Sequence, residues 1–168
     1  MNERPVALPS SFRDPAGYVF LQDQEIYRLI TNSGQASYDG LMNSGLYETL
    51  TQKKQLLSHQ EMPDGFQGPA GYKIIKPTSV PFISYPWEWS FTLLQDAAIL
   101  TLDIARTALA HGLMLKDATP YNIQWHNGAP VFIDTLSFEP YTEGRPWIAY
   151  RQFCESFLAP LLLMHYNK

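Results

Sequence analysis

The stretch GLMLKDATPYNIQWHNGAPVFIDTLSF, residues 112–138, places three polar side chains around one short hairpin. Asp117 and Asn122 lie five residues apart in a polar loop, and Asp134 follows twelve residues later. Between them, Asn127-Gly128 separates two apolar runs, a pattern typical of a tight two-residue β-turn. A hairpin needs no such trio of acid, amide and acid, so the trio points to chemistry.

The residues around this stretch predict an α+β chain. Strands are predicted at 17–21, 25–30, 72–75, 80–85, 121–125 and 130–133, and helices at 46–59, 91–111 and 147–165. Ser90 is placed to cap the long central helix, because its hydroxyl can accept from a backbone N–H of the first turn. The order predicts a flexible leader at 1–13, a small sheet-rich lobe at 14–88 and a helical lobe at 89–168.

Composition narrows the function classes. The 168 residues are 45% apolar and 14% aromatic, which supports a packed core. A net charge of −4 with only 12 Lys and Arg argues against nucleic-acid binding. The single cysteine, Cys154, fits a reducing cytoplasmic setting. The apolar run at 157–164 is too short to span a membrane. Its many apolar side chains have no following segment to cover them, which predicts a longer parent protein.

Phosphoryl transfer from a nucleotide uses a carboxylate that orients the acceptor hydroxyl, and amide and carboxylate oxygens that hold Mg²⁺. The 112–138 stretch resembles the catalytic core of the protein-kinase-like superfamily, in which Asp and Asn have this spacing and a second Asp follows a hairpin. The resemblance implies a kinase-like α+β fold with a truncated helical lobe. It also implies Asp117 as catalytic base beside Lys116, and Asn122 and Asp134 as ligands of Mg²⁺ bound with ATP. Alternatively, Asp117 and Asn122 shape a turn and Asp134 caps the next segment.

The chain departs from the kinase pattern around these residues. Leu115-Lys116-Asp117 stands where His-Arg-Asp is usual, and Asp134-Thr135-Leu136 stands where Asp-Phe-Gly is usual. No phosphate loop with three spaced glycines occurs, and Arg13-Asp14-Pro15-Ala16-Gly17 is the best substitute.

A cation that contacts the phosphates has several candidates. Arg28, in the predicted strand 25–30, is the first, and Lys73 or Lys76 is the second. Glu48, in the helix that follows, is a candidate partner for Arg28. Glu88 lies between two tryptophans at the expected junction of the lobes, where it is a candidate contact for the nucleotide.

A second resemblance covers the chain from about residue 12 onward. The chain is similar to a bacterial family of class I S-adenosylmethionine-dependent methyltransferases with a nodulation-protein subgroup. The motifs that carry this resemblance are FRDPAG (12–17), SYPWEWSF (84–91), LKDATPYN (115–122), IDTLSF (133–138) and YRQFC (150–154). The resemblance implies a methyltransferase domain further along the parent protein. That domain, rather than this segment, is expected to bind S-adenosylmethionine, because the segment lacks a strand, Gly-rich turn and helix in sequence.

Two hypotheses follow. The first is a kinase-like module that binds nucleotide and Mg²⁺ in a larger methyltransferase-type protein and phosphorylates a small-molecule or glycan hydroxyl. The second is a non-catalytic, pseudokinase-like scaffold that positions substrate or partner for the downstream methyltransferase domain. The trio of Asp117, Asn122 and Asp134 favours the first. The second is favoured by three departures from the kinase pattern. They are the absence of the usual His before Asp117, the absence of the glycine of Asp-Phe-Gly, and the lack of a clear equivalent of the phosphate-pairing lysine of the third strand.

Overall fold

A computed structural model describes residues 5–8 and 14–166 of the chain. Its amino-terminal part is a five-stranded antiparallel sheet in the order β1-β2-β3-β5-β4. The strands are β1 (Val6–Ala7), β2 (Gly17–Gln22), β3 (Glu25–Ile30), β4 (His59–Glu61) and β5 (Lys73–Pro77). Of the predicted leader at 1–13, the structure describes only residues 5–8, which include the strand β1. Arg13 lies outside the described residues.

The helices follow the sheet in two groups. Two short helices, α1 (Gln35–Asn43) and α2 (Leu46–Gln52), connect β3 to β4. The long helix α3 (Phe91–Ala110) confirms the predicted central helix, and the Ser90 hydroxyl accepts from the Leu93 N–H at 3.4 Å. The last helix consists of α4 (Tyr150–Phe153), a π-helical turn (Cys154–Leu158) and α5 (Ala159–Tyr166). No helix in the described residues has the length and apolar character needed to cross a membrane.

Two small antiparallel pairs lie between α3 and the last helix. They are β6 (Leu113–Leu115) with β9 (Phe138–Pro140), and β7 (Ile123–His126) with β8 (Ala129–Phe132). Asn127 and Gly128 join β7 to β8 with φ of 53° and 78°, which confirms the predicted turn. Both residues have a left-handed backbone conformation, which Asn and Gly adopt more readily than other residues.

Leu136 connects the β8–β9 segment to the sheet. Its side chain is buried with Ile30 of β3, Tyr38 of α1 and Ile75 of β5. Burying a leucine contributes about 1.5–3 kcal/mol, so this contact holds the 134–137 segment firmly against the sheet. The chain segment that contains Asp134 is thereby placed beside β3.

The structure differs from the sequence predictions at four places. The predicted helix 46–59 ends at Gln52, since Lys54 has a φ of +57° and Leu56 forms a β-bridge with Phe132. The predicted strand 80–85 is irregular, and a short 3₁₀ helix (Pro86–Glu88) follows it. Helix α1 and strand β4 were not predicted. The mixed α/β architecture is nevertheless as expected.

Candidate functional site

The loop at 116–122 is held by a side chain from the last helix. Gln152 Nε2 donates to Asp117 Oδ1 at 2.9 Å, and Gln152 Oε1 accepts from the Ala118 N–H at 2.7 Å. Asp117 Oδ1 also accepts from the Thr119 N–H at 3.2 Å, which is the local turn contact expected of an aspartate here. One amide therefore fixes both the Asp117 carboxylate and the backbone that carries it.

Asp134 forms the centre of a charged cluster. Its Oδ1 lies 2.6 Å from Arg28 Nη1 and accepts from the Leu136 N–H at 3.0 Å, while its Oδ2 accepts from the Ser137 hydroxyl. Arg28 also reaches Asp14 Oδ2 with Nη2 at 2.9 Å. Because two carboxylates share one guanidinium, these three charged groups carry one net negative charge.

Asn122 joins this cluster through Ser137. Its Nδ2 donates to Ser137 Oγ at 3.4 Å, and the Ser137 hydroxyl in turn donates to Asp134. The Asn122 carbonyl accepts from the Ile133 N–H at 2.8 Å, so the two predicted metal ligands belong to one hydrogen-bonded unit. The structure therefore brings Asn122 and Asp134 together, as the sequence spacing predicts.

The electrostatics of Asp134 favour its charged form. Burial acts to raise the pKa of this carboxyl, but Arg28, the Ser137 hydroxyl and the Leu136 N–H together outweigh burial and hold the pKa below its usual range. An ionised carboxylate beside an amide is a suitable pair of oxygen ligands for Mg²⁺, which commonly takes one or two protein groups and completes its shell with phosphates and water.

The other predicted cations have different partners. Lys116 Nζ donates to Ser37 Oγ on α1 at 2.9 Å. Lys73 pairs with Glu61 at 2.8 Å, and Lys76 pairs with Glu25 at 3.1 Å. Of the three candidates for a phosphate-binding cation, the structure pairs only Arg28 with Asp134 among the described residues.

The two predicted glutamates lie outside this cluster's contacts. Glu48 is exposed on α2, and the carboxylates that pair with Arg28 are Asp14 and Asp134. Glu88 accepts from the Tyr85 N–H at 2.7 Å, a contact that caps the short 3₁₀ helix. In place of the candidate pairing with Glu48, Arg28 pairs with Asp14 before β2 and with Asp134 in the segment of the predicted metal ligands.

The connection between the sheet and α3 is held by two hydrogen bonds from the side chain of Gln124. Gln124 Oε1 accepts from the Ser84 N–H at 3.0 Å, and Gln124 Nε2 donates to the Ser84 carbonyl at 3.1 Å. Both backbone groups of Ser84 are thereby occupied. The Ser84 N–H is not available to a ligand unless Gln124 moves, whereas the carbonyl oxygen keeps a second lone pair.

A second polar cluster joins α1, β4 and β5. The Tyr38 hydroxyl donates to Glu61 Oε1 at 2.8 Å and lies 2.9 Å from His59 Nε2. Burial lowers the pKa of His59 to about 4, although Glu61 acts in the opposite direction. Burial and the Glu61 hydrogen bond raise the pKa of the Tyr38 hydroxyl. His59 is therefore neutral at pH 7, and the cluster ties α1 to the sheet.

Sequence reasoning missed three residues of the site. Ser137 and Gln152 lie within the motifs IDTLSF and YRQFC, but a serine or glutamine in a motif does not show which loop its side chain contacts. Asp14 belongs to the segment expected to replace the phosphate loop, and its pairing with Arg28 is the contact that spacing alone does not predict. Among residues 5–8 and 14–166, no three His, Cys, Asp or Glu side chains form a metal-holding group.

No family model matches this chain. The chain is similar to the nodulation protein NoeA of Rhizobium meliloti (strain 1021), with 36% identity over 164 residues. The match covers 95% of this chain and 34% of NoeA, so the chain spans about a third of the length of that relative. The similarity supports the nodulation-protein part of the resemblance found in the sequence.

Proposed function

We propose that this segment is a kinase-like module that binds a nucleotide with Mg²⁺ and transfers its terminal phosphoryl group to a hydroxyl. The observation that carries the proposal is the contact of 2.6 Å between Arg28 Nη1 on β3 and Asp134 Oδ1 after the β7–β8 hairpin. In kinase-type phosphoryl transfer a strand cation contacts the phosphates and an aspartate holds the Mg²⁺ bound to them, so both groups belong to one site. The module would then have the lobes at 14–88 and 89–168.

Each polar group has a definite role in this proposal. Asp134 and Asn122 provide oxygen ligands for Mg²⁺, which when bound neutralises charge on the phosphates. The oxygen of the acceptor hydroxyl attacks the terminal phosphorus, and Asp117 accepts the proton of that hydroxyl. The bond between the terminal phosphorus and the leaving nucleoside diphosphate breaks. Gln152 keeps the Asp117 carboxylate oriented for this proton transfer.

The charge and hydrogen bonding of Arg28 support a site for a metal and a phosphate. The net negative charge of Arg28, Asp14 and Asp134 is suited to a divalent cation. Arg28 Nε is buried and has no hydrogen-bond partner among the described protein atoms. An unpaired buried donor costs about 1–3 kcal/mol, and a phosphate oxygen would relieve that cost.

A second function, a non-catalytic scaffold, has its own supporting observations. Both oxygens of Asp134 are occupied by protein donors, and Gln124 occupies both backbone groups of Ser84. A segment with these internal contacts is self-sufficient without nucleotide. In this reading it positions substrate or partner for a methyltransferase domain.

The wider setting is part of the same proposal. In either reading the segment works within a longer, cytoplasmic transferase whose methyltransferase domain binds S-adenosylmethionine. All strand pairs of the described sheets are antiparallel, unlike the parallel sheets of dinucleotide-type cofactor folds. We therefore assign the S-adenosylmethionine site to another part of that protein.

The test separates catalysis from scaffolding. The chain is incubated with Mg²⁺ and ATP radiolabelled at the terminal phosphate, with a panel of sugars and polyols, and both ADP release and labelled products are measured. The proposal predicts that Asp117→Asn lowers turnover at least about a hundredfold, because general-base catalysis contributes 10²- to 10⁴-fold. Asp103→Asn, which alters an exposed ion pair on α3, is the matched control and should retain turnover. A folded chain that releases no ADP, labels no product and binds no nucleotide would favour the scaffold.

A further inference from the structure

Three aromatic side chains form an exposed surface that the proposed chemistry leaves unused. Tyr85, Trp87 and Tyr121 have 45%, 68% and 57% of their surface exposed. Tyr85 stacks on Trp87 with ring centroids 4.6 Å apart and planes 3° apart, and Tyr121 lies 6.0 Å from Trp87 at 59°. We call these three residues the aromatic platform. Exposed aromatic rings that pack on one another form a preorganised contact surface, since little side-chain freedom remains to be lost on binding.

The platform adjoins the loop that carries the proposed base. Tyr121 stands within the segment from Asp117 to Asn122, in the short 3₁₀ helix Pro120–Asn122. Trp87 lies in the connection that Gln124 of β7 holds in place through Ser84. A ligand that contacts Tyr121 therefore contacts the loop that carries Asp117.

The ring geometry argues against a base-stacking slot. A planar base held between two parallel rings needs roughly 7 Å between them, which is two carbon contacts of about 3.5 Å. Tyr85 and Trp87 are parallel but only 4.6 Å apart, and Trp87 and Tyr121 are strongly inclined. A ligand must lie across the free ring faces instead of entering between them.

The charge around the platform argues against an anionic ligand. The sequence contains no Lys or Arg between Lys76 and Arg106, and the exposed Glu88 directly follows Trp87. A phosphate or polyanion would need cations here. A neutral ligand with an apolar face and a polar rim is suited to rings whose two tyrosine hydroxyls can hydrogen-bond.

We propose that the aromatic platform binds a neutral saccharide, whose C–H-bearing ring face stacks on Trp87 and Tyr121. Saccharide binding needs only the platform. The further step, in which a sugar hydroxyl is presented to Asp117 as phosphoryl acceptor, rests on the proposed function. This assignment selects a glycan over other hydroxyl compounds as the substrate class.

Binding can be measured through Trp87, the most exposed of the four tryptophans. The chain is titrated with cellohexaose and maltohexaose while acrylamide quenching of tryptophan fluorescence is followed, and affinity is checked by calorimetry. We expect at least one of the two saccharides to protect Trp87 from quenching. Trp87→Ala should weaken binding about tenfold or more by calorimetry, and Trp87→Tyr should restore most of the affinity because it keeps a ring.

Phe82→Ala is the matched control, because Phe82 lies in the same connection, is more exposed than Trp87 and stacks on no platform ring. It should leave saccharide affinity within about twofold. The proposal is overturned if the folded chain binds neither saccharide, or if Phe82→Ala weakens binding as much as Trp87→Ala. In the latter case the surface would be a general apolar contact for a protein.

The same samples are tested with ATP and Mg²⁺. Saccharide binding without nucleotide binding would remove the proposed function and keep the platform. Nucleotide binding without saccharide binding would do the reverse.

Discussion

Replacing Arg28 by methionine removes the charge that faces Asp134 while keeping a long side chain on β3. The side chains of Arg28 and Asp134 are only 15% and 17% exposed, so the carboxylate left behind has little access to water. Removing one partner of a buried pair costs about 3–5 kcal/mol. Asp134 keeps its bonds from Ser137 and Leu136, so we expect Arg28→Met to lower the free energy of unfolding by about 2–4 kcal/mol.

The pH dependence gives this prediction a sign. In the wild-type chain the Asp134 pKa lies below the unfolded value of about 3.9, so its contribution to stability is present above that pH and is lost as pH falls through the folded pKa. Arg28→Met removes the strongest influence that lowers this pKa and leaves burial, so we expect the Asp134 pKa to be higher in the variant than in the wild-type chain. The variant's deficit in stability should therefore shrink as pH falls from 7 toward about 4.

The assay is urea unfolding of both proteins across that pH range, with a double-mutant cycle through Asp134→Asn. Arg28 also contacts Asp14, so the cycle through Asp134→Asn is needed to separate the contribution of Asp134 from that of Asp14. We expect a coupling energy of about 1–3 kcal/mol between Arg28 and Asp134. A deficit below about 1 kcal/mol, or one that does not change with pH, would show that this ion pair is not the electrostatic centre of the site.

Three further predictions concern other parts of the structure. Since burial lowers the pKa of His59 to about 4 against about 6.5 when unfolded, stability should fall by up to about 3 kcal/mol as pH drops through this range, and His59→Gln should reduce that slope in urea unfolding. Gln152→Ala should impair phosphoryl transfer more than ATP binding, because it releases Asp117, and steady-state kinetics with calorimetry would separate the two. Gly17→Ala should destabilise by about 1–3 kcal/mol in urea unfolding, since its Cβ would lie 2.4 Å from the Leu29 carbonyl.

The elements that local sequence determines were predictable. The β7–β8 turn depends on Asn127-Gly128, and α3 depends on the Ser90 cap and on its own apolar residues, so both appear where the pattern places them. Helix α1 could not be predicted because Gly40 lowers helix propensity. A Cβ at this position would make an ordinary contact with Leu113 at 3.6 Å, so packing does not require the glycine.

Leu56 and Leu57 explain the overlong helix prediction. Their spacing suits one face of a helix, but tertiary pairing competes with that preference. Leu56 forms a bridge with Phe132, and the Leu57 N–H donates to the Phe132 carbonyl at 2.8 Å. Apolar spacing in a short segment cannot distinguish these two outcomes.

The site was predictable to the extent that it is local. Asp117, Asn122 and Asp134 lie on one loop and hairpin, and their spacing places them near one another. The pairing of Arg28 with Asp134 was not predictable, because tertiary packing, including the burial of Leu136 against Ile30, brings β3 and the Asp134 segment together. Glu48 is nearer to Arg28 in sequence than Asp134 is, and the pairing with Asp134 depends on the fold.

The central claim is that Asp134 belongs to a metal-dependent nucleotide site. The most direct test is a thermal-shift titration with ATP, with and without Mg²⁺, on the wild-type chain, Asp134→Asn and the control Asp103→Asn, with S-adenosylmethionine as a parallel ligand. At 100 times its dissociation constant a ligand adds about 2.7 kcal/mol, which is roughly 5–10 °C for a chain of this size. We predict a shift that requires Mg²⁺, persists in Asp103→Asn and disappears in Asp134→Asn. A folded chain with no shift, or with a shift that is the same without Mg²⁺ or in Asp134→Asn, would contradict the account.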